Sequence, residues 1–131
     1  MTRTYEPLTA KAVKELIAPH SWIAAIAPVG IGAAFAFTIG ACSCGYSHFN
    51  NTLALNIPEF IWPWIMLVLM LATVILLQSA VNTLNDYVDC KQGTDTEENC
   101  VDETDASIIY NNLDPKDALK VVYWCMGLAA L

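Results

Sequence analysis

The sequence predicts an all-α integral membrane protein with one interfacial helix, two full membrane spans and the start of a third. The chain has 131 residues, of which 56% are hydrophobic, and this is too apolar for a soluble acidic domain of its size. Two long runs contain no charged residue, and each can cross the ~30 Å hydrocarbon core at about 1.5 Å per residue. We therefore interpret the chain as the N-terminal part of one membrane helical bundle.

The first predicted elements are an interfacial helix and a membrane span. Residues 9–17 place apolar residues such as Val13 and Leu16 on one side and basic residues such as Lys11 and Lys14 on the other. This amphipathic pattern is typical of a helix that lies on a membrane surface. Residues 21–41 follow without a charge and are predicted to form the first span.

The second span is predicted over residues 60–84, after a polar, turn-rich loop. Trp62 and Trp64 suit the membrane–water boundary, and Pro63 falls in the first helical turn, where its missing N–H is harmless. Residues 85–113 then form a polar motif and an acidic loop.

A third helix is predicted to begin at Asp114, which suits the N-cap position because Pro115 follows at the first helical position. Within the partial span, residues 115–131, the apolar portion is too short to cross a bilayer. We expect the chain to be a fragment of a longer membrane protein.

The distribution of charge predicts the orientation of the chain in the membrane and argues against one class of partner. Ten of the thirteen acidic residues lie between Asp86 and Asp117, which argues against a nucleic-acid partner because nucleic acids require a basic surface. Basic residues flank the two spans but are missing between them, which predicts a cytoplasmic N-terminus and a cytoplasmic motif in a bacterial-type cell membrane. These residues are Arg3, Lys11 and Lys14 before the first span, and Lys91, Lys116 and Lys120 after the second.

A polar stripe is predicted at the end of the second span. If the helix continues through Asp89, five polar side chains fall within about a third of its circumference. The stripe consists of Gln78, Asn82, Asn85, Asp86 and Asp89. Gly93 is a predicted helix end, because glycine adopts the left-handed conformation without a steric clash, and the turn would allow Asp95 to face back towards the stripe.

Carboxylates at the edge of a membrane repel one another and lose hydration, so they protonate, bind a cation or remain in water. All-oxygen ligands select a hard cation, and Mg²⁺ tends to use one or two carboxylates and to hold a diphosphate. The sequence therefore predicts a site for Mg²⁺ and a diphosphate. The alternative interpretation is a helix C-terminus that enters a solvated acidic loop.

The pattern Asn85-Asp86-x-x-Asp89-x-x-x-Gly93-x-Asp95 resembles the first aspartate-rich motif of the UbiA superfamily of intramembrane prenyltransferases. The Gly93-x-Asp95 ending resembles the branch that acts on 1,4-dihydroxy-2-naphthoate in menaquinone biosynthesis. The resemblance implies Mg²⁺-dependent transfer of a prenyl group from a polyprenyl diphosphate to an aromatic acceptor such as 1,4-dihydroxy-2-naphthoate.

The resemblance also implies roles for individual residues. Asp86 and Asp89 would be catalytic metal ligands, and Asp95 would be a further ligand or would support one. Asn85 and Lys91 would bind the diphosphate. Asn82 is a further candidate for substrate binding, although we favour structural hydrogen bonding for it.

The chain departs from the family pattern because no second aspartate motif follows the first. The missing C-terminal spans of the same enzyme would have to supply it, and we expect the chain to be inactive alone. Two other classes stay open: a non-catalytic small membrane protein whose acidic loop binds a cation or a partner, and a piece of a transporter.

Overall fold

The computed structural model describes residues 4–40, 61–94, 96 and 106–131. Helices account for 80% of these residues, which include no strand. Two stretches, Ala10–Ala36 and Trp62–Gln92, are long and apolar enough to cross a membrane. The predicted all-α class is therefore confirmed for the described residues, together with two helices that could span a membrane.

Helix α1 (Ala10–Leu16) begins and ends with clear local signals. The hydroxyl of Thr9 accepts a hydrogen bond from the backbone N–H of Ala12 at 3.2 Å and caps the helix. After the helix, Ala18 adopts a left-handed conformation with φ of 44°. This turn redirects the chain into a 3₁₀ turn (Pro19–Ser21) and helix α2 (Trp22–Gly40).

Helix α3 (Trp62–Gln92) extends without a break into the polar motif and includes its residues 85–92. Pro63 lies in its first turn, as predicted, and Gly93 follows its last residue with φ of 70°, in the left-handed region that glycine favours. The helix continues about two turns past Leu84, where the predicted span ends. Residues 85–92 of the motif are thus helical and belong to the same continuous helix as the second apolar run.

Two further helices follow. Helix α5 (Pro115–Ala129) starts as predicted, because the Asp114 carboxylate accepts a hydrogen bond from the N–H of Lys116. Helix α4 (Ser107–Tyr110) is a single turn in a region that the sequence predicts as loop. It forms because Ile108 is buried against the other helices.

The apolar core lies where α1, α4, the second half of α3 and the first half of α5 meet. Its buried members are Ala12, Leu16, Ala80, Ile108, Leu113, Ala118, Val121, Val122 and Cys125. By contrast, α2 and the first half of α3 expose large apolar side chains such as Ile23, Phe35 and Val68. The exposed surface fits contact with lipid or with further helices.

The N-terminal segment is attached to the connection between α4 and α5. The N–H of Glu6 donates to the carbonyl of Asn112 at 2.9 Å. In return, the Asn112 amide donates to the carbonyl of Thr4 at 2.9 Å. The N-terminal segment is therefore held at the connection between α4 and α5.

Side chains of α3 and α2 satisfy the carbonyl groups that α1 leaves free at its C-terminus. The Thr83 hydroxyl lies 3.1 Å from the Leu16 carbonyl and 2.8 Å from the Ser79 carbonyl of its own helix, so the two carbonyls share its single proton. The Asn82 amide donates to the Ile17 carbonyl at 3.3 Å. The Trp22 indole N–H is shared between that carbonyl, at 3.3 Å, and the Ser79 hydroxyl of α3, at 3.1 Å. Terminal carbonyls have no partner within their own helix, so these bonds fix α1 against the polar half of α3.

We expect Thr83→Val to lower the free energy of unfolding by about 1–2 kcal/mol, because it leaves the buried Leu16 carbonyl without its donor. Thr73→Val is the matched control, since the Thr73 hydroxyl donates only to Leu69 of its own helix. Thermal unfolding in mild detergent measures both. Equal losses in the two variants would show that the interhelical bond contributes nothing.

Candidate metal and diphosphate site

The residues of the predicted polar stripe all lie on α3, and four of the five are linked in two pairs. The Gln78 amide donates to Asn82 at 3.1 Å. One turn further, the Asn85 amide donates to the Asp89 carboxylate at 2.9 Å. Residues four apart on a helix are neighbours, and such pairs hold both side chains in place.

Asn82 is occupied by contacts within the chain. Its amide nitrogen donates to the Ser21 hydroxyl at 2.6 Å and to the Ile17 carbonyl at 3.3 Å, while its oxygen accepts from Gln78. These contacts join α3 to the junction between α1 and α2. They agree with the structural role favoured for Asn82, and substrate binding by this residue stays a prediction.

Asp86 is buried, with 6% of its surface exposed. Its carboxylate accepts a hydrogen bond from the N–H of Ser107, the first residue of α4, at 3.1 Å. A carboxylate at a helix N-terminus satisfies a free backbone donor. Asp86 therefore anchors α4 to the motif, a role that the sequence does not reveal.

Asp89 lies in a different environment. Its bond to Asn85 is on the exposed surface of the helix, and the side chain is half-buried. The two aspartates are three residues apart, so they are neighbours on one face of α3. One carboxylate faces the protein interior, whereas the other is accessible from outside.

Lys91 lies near the end of α3. Its ammonium group is 5.9 Å from the centre of the Tyr87 ring, within the range of a cation–π interaction. Its charge also complements the helix C-terminus. Lys91 is exposed and lies one turn from Tyr87, and its role in binding a diphosphate stays a prediction.

Asp95, the third predicted metal ligand, lies outside the described residues, as do residues 97–105 of the acidic loop. Within the described part of the chain, no group of three or more His, Cys, Asp or Glu residues is arranged to hold a metal ion. A metal-binding role for Asp86 and Asp89 therefore stays a prediction.

Sequence reasoning missed Ser107 and Thr83. Ser107 is fully buried, and its hydroxyl has no hydrogen-bond partner among the described residues. A weak signal for α4 was present, because serine before an apolar pair is a common helix start. Nothing in the sequence indicates that Thr83 contacts α1, since Thr83 and its partner Leu16 are 67 residues apart.

No family model, no curated protein and no solved structure matches the chain. Function must therefore be inferred from the residues of the site and from their environment. The relevant features are a long apolar helix, two neighbouring carboxylates at its polar end and an adjacent lysine.

We expect Asp86→Asn to loosen α4, because the neutral amide accepts a weaker hydrogen bond from Ser107 than the carboxylate does. Amide hydrogen exchange at Tyr110 and Asn111 should become roughly tenfold faster. Asp89→Asn should leave these amides unchanged, since the described partner of Asp89 is Asn85 on the same helix. Unchanged exchange in Asp86→Asn would contradict an anchoring role.

Gly93→Ala should destabilise the chain by about 1 kcal/mol, because alanine resists the left-handed conformation. The added Cβ would meet no atom within 4 Å, so backbone strain alone causes the loss. Gly127→Ala is the control: it is equally open but lies inside α5, where alanine should stabilise by up to about 1 kcal/mol. Thermal unfolding should move in opposite directions for the two variants.

Proposed function

We propose that the chain carries the first aspartate motif of an intramembrane prenyltransferase resembling the UbiA superfamily. The reaction is Mg²⁺-dependent transfer of a prenyl group from a polyprenyl diphosphate to an aromatic acceptor such as 1,4-dihydroxy-2-naphthoate, as in menaquinone biosynthesis. The observation that carries the proposal is the continuity of α3. A helix of membrane length runs directly into Asn85, Asp86 and Asp89, as a site for a lipid diphosphate requires.

The donor set fits the metal. Carboxylate and amide oxygens are the ligands that Mg²⁺ prefers, and it binds through one or two carboxylates together with a substrate phosphate. Asp86 and Asp89 would hold it, with Asp95 as the further candidate ligand. When bound, Mg²⁺ would neutralise charge on the leaving diphosphate as a Lewis acid.

The other residues of the motif would position these groups. Asn85 holds the Asp89 carboxylate through its amide, and the N–H of Ser107 holds Asp86. Lys91 would attract the diphosphate as a point charge. The apolar surfaces of α2 and α3 would keep the prenyl chain in lipid and keep bulk water away from the reacting carbon.

The proposed site faces the cytoplasm of a multi-pass membrane protein. The basic residues before α2 and after α3 support this orientation, which places the motif where Mg²⁺ and water-soluble diphosphate groups are available. Further spans of the same enzyme would supply the second aspartate motif and the rest of the metal site.

The second candidate function is a non-catalytic membrane protein with a cation-binding or partner-binding acidic loop. One observation favours it: Asp86 is engaged in anchoring α4, which gives this aspartate a structural reason to be present. In that case, neither Asp86 nor Asp89 would take part in catalysis.

We expect Asp89→Ala in the complete enzyme to reduce Mg²⁺-dependent prenyl transfer by at least about a hundredfold, because a ligand of the charge-neutralising metal is lost. Asp86→Ala should have a similar effect. Asp117→Asn is the control, since this aspartate lies outside the motif and pairs with Lys120 on its own helix. Transfer of a radiolabelled prenyl group to the acceptor measures all three.

Near-normal turnover by Asp89→Ala would refute the metal role and favour the non-catalytic candidate. Titration with Mn²⁺, followed by electron paramagnetic resonance, tests metal binding by the chain itself. Weak binding that Asp89→Asn removes supports the proposal, whereas binding unaffected by that change contradicts it.

A further inference from the structure

A cavity of about 450 Å³ lies between α1, the 3₁₀ turn and α4. Its polar lining comes from Lys11, Lys14, Glu15, His20 and Tyr110. Neither Asp86 nor Asp89 lines it. The cavity is therefore separate from the proposed metal site.

The lining of the cavity has a surplus of positive charge. Among the described residues that line the cavity, Glu15 is the one acidic side chain, and its carboxylate is already engaged by Lys11 at 3.6 Å and by the Asn111 amide at 2.7 Å. Within the described residues, Lys14 forms no ion pair. In a chain of net charge −7, this cavity is a local site that attracts anions.

The cavity lies at the start of the first long apolar helix, and this position would place it at the depth of the lipid headgroups. Ala18, Pro19 and His20 line it, and the exposed apolar surface of α2 begins only three residues later, at Ile23, which is 73% exposed. Lysines that immediately precede an apolar span lie close to the headgroup phosphates of the membrane surface.

We propose that this cavity binds a phosphate group, with Lys14 as the principal charge contact and His20 as an additional donor. Lysine binds phosphate as a compact point charge with several donors. The phosphate could be carried by a phospholipid headgroup or be free in solution. The apolar surface of α2 next to the cavity favours the lipid, because acyl chains can lie along it.

The proposal is tested by titrating the detergent-solubilised chain with dihexanoyl phosphatidic acid below its micelle concentration, and separately with inorganic phosphate. Chemical shifts of the α1 amides report binding. We expect saturable binding of phosphatidic acid that Lys14→Gln weakens about fivefold, the effect of one lysine near a phosphate surface. Lys14→Arg, which keeps the charge, should stay within about twofold.

Lys116→Gln is the matched control, because it removes one exposed positive charge from α5, outside the cavity. Binding of phosphatidic acid alone identifies a lipid site, and equal binding of inorganic phosphate identifies a soluble-phosphate site; both support the proposal. Two results overturn it: no saturable binding of either probe, or equal weakening by Lys14→Gln and Lys116→Gln. Circular dichroism confirms that each variant keeps its helical content. These binding measurements do not depend on prenyl transfer, so failure of the phosphate proposal can be told apart from failure of the proposed function.

Discussion

The described structure depends on the hydrogen bonds that α3 makes to the C-terminus of α1. A helix of 7 residues has little stability by itself, and its last carbonyls have no partner within the helix. Thr83 and Asn82 supply the donors for Leu16 and Ile17. Because these donors lie directly before the motif, the position of the candidate site is linked to the position of α1.

The two aspartates of the motif lie on one helix face but have different surroundings. Asp86 is turned towards the interior and holds α4, while Asp89 stays accessible beside Asn85. A metal site benefits from such an arrangement, because a ligand that is fixed by its surroundings loses little freedom when the ion binds. The structural and chemical explanations of Asp86 are therefore compatible.

The sequence predicted the elements that local rules determine. Apolar run length identified the long helices, Asp114 and Pro115 identified the start of α5, and Gly93 identified the end of α3. It did not predict α4 or the contacts of Thr83, because both arise from residues far apart in the chain. The stripe followed from helical periodicity, but the burial of Asp86 depends on a partner 21 residues away, which periodicity cannot reveal.

The attachment of the N-terminal segment to Asn112 has a consequence for the order of assembly. The Thr4 carbonyl and the Asn112 amide are separated by 108 positions, so this contact forms only after the ribosome has made nearly all of the described chain. Closing a loop of that length costs entropy that earlier contacts must already have offset. Residues 4–6 therefore reach their final place only after the connection between α4 and α5 has been made.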